Sequence, residues 1–337
     1  LDLFPTSVVE SLAVQKTYSP ELPADFGGGA VSIRSLGIPD DRYQRRLRTT
    51  IDGSIGYNQG STFTKRLTEK SGAYDWAGFD DGSREIPEVI VDEKVEGAGG
   101  TLSGGDDSLT EEEIEEIAEA MSRNWEPTTR TLPLDYGGSI AVRDKMELKG
   151  GRNFGFAASL SYNNSWNFNE RQQQSYQAGD EGSVFTKASY ESELTSRDVD
   201  IGGLLDLVYQ HNDRLEFTSN SLLIRATDGA TEQYSGYYSD DDVDIQTTEQ
   251  WWIEQTLFHQ AVGGTIGLDI LNEAEVGFDY AYSLAKRYEP DHRYVTYWDG
   301  EAEPDYNYEE ENGYLAPREY SAFRWWTTVD ENIHDGS

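Results

Sequence analysis

The chain has 337 residues, with 63 acidic side chains against 27 basic ones, a formal charge of −36. Such a surface repels phosphate and argues against DNA, RNA or an anionic lipid surface as a partner. There is no Cys, which excludes a disulfide scaffold, a thiolate nucleophile and a Cys zinc site, and the four His (His211, His259, His292, His334) are too scattered for a metal motif.

The aromatic share of 12% and the 33 Gly fit a β-rich chain with wet surfaces rather than disorder. The chain opens at Leu1 without a basic and apolar leader and stops at Asp335-Gly336-Ser337, so a fragment is expected. No apolar run reaches the ~18 residues of a transmembrane helix, which leaves a soluble protein or a β-barrel.

In chain order, Val8, Val9, Leu12 and Val14 suggest a short strand, and Lys16 to Pro23 a turn-rich segment. Gly27-Gly28-Gly29 then precedes a second strand, Ala30-Val31-Ser32-Ile33-Arg34. The triplet is no phosphate loop, because no Lys-Ser/Thr follows it and no helical pattern opens there. Residues 37–46 read as a linker.

From Leu47 onward the sequence alternates. Leu47, Thr49, Ile51, Gly53, Ile55 and Tyr57 share a face; so do Phe154, Phe156, Ala158, Leu160 and Tyr162; so do Ala274, Val276, Phe278, Tyr280, Tyr282 and Leu284. Long strands with one apolar and one polar face suit a barrel wall around a wet lumen. Short connections are expected near 149–153, 211–213 and 269–272, and long ones near 59–132, 168–194, 229–247 and 287–319. This alternation puts tight turns at one end of a meander and large loops at the other, as in outer-membrane barrels.

One helix is expected inside the first long loop. Ser108 and Glu111 form a capping box, and Ile114, Ile117, Ala118, Met121 and Trp125 recur at helical spacing before Pro127. It reads as an ordinary amphipathic helix packed on a loop.

Val8-Val9-Glu10-Ser11-Leu12-Ala13-Val14-Gln15-Lys16, followed by Ala24-Asp25-Phe26-Gly27-Gly28-Gly29-Ala30-Val31-Ser32-Ile33-Arg34, resembles the C-terminal half of the plug of TonB-dependent outer-membrane receptors. Ala13 stands where that family usually has an acidic residue and Thr17 where it has Gly. Asp75-Trp76-x-Gly78-Phe79-Asp80-Asp81-Gly82-x-Arg84-x-x-Pro87 and Glu289-Pro290-Asp291-x-Arg293 are similar to features of a large-receptor branch.

The resemblance implies an all-β fold: an antiparallel meander from a large transmembrane β-barrel, with part of an internal plug and one short helix in an extracellular loop. Residues 1–37 correspond to the end of the plug, 38–46 to a linker, and 47–337 to the first eight or so strands of a 22-stranded barrel. The signal peptide, the TonB box and the first half of the plug are expected upstream. The implied activity is TonB-driven import of a scarce large solute, a ferric siderophore or an oligosaccharide, with no enzyme chemistry and no cofactor. The implied partners are TonB, outer-membrane lipid, the small-molecule or oligosaccharide ligand and a surface lipoprotein, and the location is the bacterial outer membrane.

In such receptors the ligand binds between plug and extracellular loops. The resemblance therefore makes Trp76, Phe79, Asp80, Asp81 and Arg84 of the first loop candidates for ligand contact, with Tyr288, Asp291, His292, Arg293, Tyr297 and Trp298 of the fourth. The plainer reading is that these aromatics and charges pin long loops onto the rim, and that Asp80-Asp81-Gly82 is a turn. In the plug piece, Glu10, Lys16 and Arg34 are candidates for a charge lock onto the wall. Asp240, Asp241, Asp242 and Asp244 could hold Ca²⁺ or form a solvated acidic loop.

Neither Gly-x-Ser-x-Gly nor His-Glu-x-x-His occurs, and in a chain with 63 carboxylates no acidic pair is informative. The excess of Asp and Glu over Lys suits a surface kept hydrated in high salt. Two other classes fit the same residues: a passive or adhesive outer-membrane barrel, and a soluble secreted β protein acting on glycans.

Overall fold

The structure is a computed structural model that describes residues 9–18, 30–35, 47–90, 111–121, 124–178, 183–238, 243–268, 274–299, 314–315 and 322–336. Strands β1 (Val9–Gln15) and β2 (Ala30–Ser35) form an antiparallel pair, with Leu12 opposite Ile33 and Val14 opposite Val31. They coincide with the two strands expected on either side of the glycine triplet.

Eight long strands make one antiparallel meander. They are β3 (Arg48–Gly56), β6 (Asp135–Leu148), β7 (Arg152–Ala178), β8 (Val184–Asn212), β9 (Leu215–Tyr238), β10 (Val243–Leu268), β11 (Ala274–Asp299) and β13 (Ala322–Gly336). The two-residue β12 (Tyr314–Leu315) pairs with the upper end of β11, on the edge that β13 follows lower down. β4 (Lys65–Thr68) and β5 (Thr128–Thr131) pair separately inside the segment between β3 and β6.

Three of the expected long loops are strand. β7 runs 27 residues and β8 runs 29, so 168–178 and 184–194 are a ladder, and 229–238, 243–247 and most of 287–299 are likewise paired. Sequence periodicity reports one-sided burial, whereas backbone pairing also holds where both faces are polar, as in Glu170-Arg171-Gln172-Gln173-Gln174. Pro290 also reads as a strand breaker, yet it sits fully buried in a bulge of β11 between Glu289 and His292, with Asp291 at φ +52°. A bulge is where a sheet admits Pro.

Cross-strand register assigns the two faces. Ile51, Ile140, Leu160, Gly203, Leu223, Phe258 and Leu284 lie opposite one another in one row. This face carries an exposed apolar belt: Leu160 is 56% exposed, Phe217 41% and Phe278 42%. The belt spans 154–160, 203–209, 217–223, 258–266 and 276–284, seven to nine residues in each strand against the ~9–11 of a tilted membrane strand.

On the other face the row Arg143, Ala157, Asp206, Asn220, Ala261, Ala281 is small or polar. Ala157 is 3% exposed and Asp206 4%, although both are smaller than their belt-face neighbours. Small residues crowded on one side and large ones open on the other describe a sheet curled away from the belt.

The helix α1 (Glu111–Ala120) lies where expected and buries Ile117. It ends before Trp125, which belongs to the following segment and not to the helical stripe. Ser108 of the expected cap lies outside the described residues.

Candidate functional site

Between β3 and β6, residues 74–84 and 124–125 pack on the belt face of the sheet, immediately beyond the belt. A 3-10 turn (Asp75–Ala77) ends at Gly78, whose φ of +69° suits a residue without a Cβ. The Gly78 carbonyl accepts from Arg225 Nε at 2.8 Å and from Thr227 Oγ1 at 2.8 Å. The Trp76 carbonyl accepts from the Tyr162 hydroxyl. Asp80 N–H donates to Glu254 at 2.6 Å, and Trp326 Nε1 donates to the Arg84 carbonyl at 2.9 Å. Beneath the loop Asn164, Val199 and Thr227, successive members of one cross-strand row, are buried.

Arg84 is the hub. It is 3% exposed, lies over the Trp252 ring at 4.4 Å, and pairs with Glu69 at 3.0 Å, Asp75 at 2.9 Å and Asp80 at 2.9 Å. Burial alone lowers a guanidinium pKa; the charges of Glu69 and Asp75 and their bonds to Arg84 outweigh it and push this one up. Glu69 also takes Arg293 from β11, whose other terminal nitrogen donates to the Asn124 carbonyl. Arg324 of β13 closes on Asp291 at 2.6 Å and covers the Trp125 ring. The first and fourth candidate segments are thus brought together through Glu69, as two sides of one buried ion network.

Every candidate side chain in the first segment has a place. Asp80 and Asp81 form the expected turn, accepting from Gly82 N–H at 2.9 Å and Ser83 N–H at 3.1 Å. Hydrogen bonds from Ser83 and the Ala73 N–H hold the Asp81 carboxyl down at about 2. Phe79 lies under Arg225 at 3.8 Å, and both Phe79 (44%) and Trp76 (59%) stay exposed.

Tyr288 stands beside Glu254, and burial with the charges of Asp80, Glu85 and Glu254 pushes its phenol up to about 12. Asp291 and Arg293 are network members, and Tyr297 is half-buried. The backbone of Trp298 pairs with Ile245 and Tyr314.

Of the plug candidates, Glu10 lies in β1, Arg34 in β2 opposite Ser11, and Lys16 is exposed. Gly27, Gly28 and Gly29 lie outside the described residues, as do Asp240, Asp241 and Asp242. Asp244 is in β10, and among the described residues no three His, Asp or Glu side chains are grouped to hold a metal ion.

The opposite face, beyond the belt, carries an arrangement that sequence reasoning missed. Trp251, His292, Trp325, Phe323, Tyr294, Tyr234 and Tyr190 form a continuous ladder across five strands. His292 stacks on Trp325 at 3.7 Å, Phe323 on Trp325 at 5.2 Å and on Tyr294 at 4.8 Å. Tyr294 and Tyr234 join through their hydroxyls at 3.1 Å, and Tyr234 meets Tyr190 edge-on at 5.6 Å. Trp251 lies 5.9 Å from His292 and donates its indole N–H to Asp228 at 2.7 Å.

Carboxylates line the Trp251 end. His292 contacts Glu289 at 2.5 Å and Glu249 at 2.8 Å through its two ring nitrogens. Asp198 and Asp228 face each other directly across β8 and β9. Burial, reinforced by the charges of Asp228 and Asp200, pushes the Asp198 carboxyl up to about 6. Burial raises Asp228 as well, against its Trp251 bond. Stacked rings and clustered carboxylates can present flat apolar faces and hydrogen-bond acceptors to a ligand. The available signal was the aromatic content of 245–252 and 323–326, and assigning neighbouring segments to loops concealed that these rings share a face.

Comparison with known proteins finds no matching family model, no matching curated protein and no matching solved structure.

Proposed function

We propose that this chain is the end of a plug and the first eight strands of an outer-membrane importer of the TonB-dependent kind, which takes up a scarce large solute such as a ferric siderophore or an oligosaccharide. The observation that carries this reading is the belt: exposed apolar side chains in register across an antiparallel meander, on the face the sheet curls away from. A soluble sheet has no reason to expose Leu160, Leu205, Leu223, Phe217, Phe278 and Val262 together.

The face opposite the belt then lines the lumen, and the aromatic ladder is where the solute meets the wall. TonB supplies the energy through a box upstream, and the reaction breaks no bond.

The test is expression of the complete receptor, with fractionation and uptake. The protein should pellet with outer membranes and need detergent to stay in solution. Val262→Arg, at the middle of the belt in β10, should cost about 2–4 kcal/mol, as at a bilayer midplane, and reduce the inserted fraction. A monomer that stays soluble without detergent would sink the barrel. Uptake that is unchanged in cells without TonB would instead favour a passive pore.

A further inference from the structure

We propose that the turn bearing Trp76 and Phe79 is a lipid-binding site, whose rings seat in the boundary between headgroups and acyl chains beside the belt. The inference rests on the membrane reading above and gives these aromatics a task different from solute contact. Position comes first. Tyr162 and Arg225, which hold the carbonyls of Trp76 and Gly78, stand on the belt face two residues from Leu160 and Leu223. The turn is therefore fastened at the edge of the belt, on the belt's own side.

Rigidity and exposure come second. The loop buries a charged hub, Arg84, at 3% exposure while leaving Trp76 and the adjacent Tyr74 at 59% and 58%. Charges inside and rings outside is the reverse of what water selects. An interfacial layer selects it, because ring faces gain from the acyl boundary while the polar edges stay wet. The surroundings agree: Tyr136, 43% exposed, packs 5.9 Å from Tyr162 at the same height. Of the two carboxylates of the turn, Asp80 is drawn onto Arg84, while Asp81 stays exposed and accepts from the Ala73 N–H at 2.6 Å.

The occupant is a lipid, met through its headgroup–acyl boundary. The net charge of the chain disfavours a purely electrostatic hold on an anionic headgroup.

The chain has no Cys, so with any Cys of the remaining receptor replaced by Ser, single-Cys variants can be read one at a time. The complete receptor, in phosphatidylcholine nanodiscs, carries an environment-sensitive fluorophore at Trp76→Cys, Phe79→Cys, Tyr74→Cys, Val262→Cys or Tyr234→Cys. Some of the lipid bears a nitroxide either near the headgroup or deep in the acyl chain. Labels at 76 and 79 should be quenched at least twofold more by the shallow nitroxide than by the deep one, with 74 following them. The label at 262, in the middle of the belt, should respond to the deep nitroxide, and the label at 234 to neither. If 262 is quenched while 74, 76 and 79 all report water, the lipid site is wrong and the barrel survives. If 262 itself is not quenched, the membrane reading fails and this inference falls with it.

Discussion

Gly78 is required twice over, by its φ of +69° and because a Cβ there would come within 2.7 Å of Thr227 Oγ1. Gly78→Ala should lift the turn from Arg225 and Thr227 and open residues 69–87 to limited proteolysis while the sheet stays intact. Arg84→Met should do the same by a different route. It leaves Glu69, Asp75 and Asp80 partly uncompensated, and breaking a buried pair in this way costs about 3–5 kcal/mol. Unchanged protection in both variants would mean that the loop is held by something other than these contacts.

On the opposite face, Asp198 binds its proton more tightly folded than unfolded, at about 6 against 3.8. Its contribution therefore weakens the fold as pH rises from about 4 to about 6 and stays constant above. Asp198→Asn should raise the denaturation midpoint at pH 7 and leave it nearly unchanged at pH 4, because the neutral amide also relieves Asp228. A difference between the two proteins that is flat with pH would count against the acidic pair. Glycine and turn chemistry at 78–82 can be read from residue types. The partners of Arg84 cannot, because they come from a neighbouring stretch and, through Glu69, from β11.

Strand existence was legible and strand length was not. The belt segments alternate because one face is apolar and the other small or polar, so Phe154 to Tyr162 announces itself. Beyond the belt the same strands have polar or aromatic residues on both sides, and pairing continues without a hydrophobic period. The β11 bulge shows the point at one element. Glu289-Pro290-Asp291 reads as a loop, yet it is a strand defect fixed by Arg324 on Asp291.

Two needs meet at Asp291: a positive φ that Asp and Asn tolerate and a carboxylate for two guanidinium groups. Asp291→Asn should meet the first alone, whereas Asp291→Val meets neither and should lose about 3–5 kcal/mol in chemical denaturation. Equal losses in the two variants would show that backbone conformation contributes little there.

At the scale of the molecule, a formal charge of −36 means self-repulsion in the compact state. The denaturation midpoint in detergent should therefore climb with ionic strength and level off once the Debye length falls to about 8 Å, near 0.15 M. No loss of structure at low salt would argue that the ion networks already neutralise the fold locally.

The sequence by itself determined the β class, the order of the strands, the eight-strand count and the site of the helix, because one-sided burial and turn residues act over neighbours in the chain. Only the tertiary structure decided three things: how far the hairpins extend, that residues 74–84 of the first long segment lie on the belt face, and that seven rings from five strands stand in one line on the other. Those depend on register, and register is set by pairs of residues dozens of positions apart, which no local pattern records.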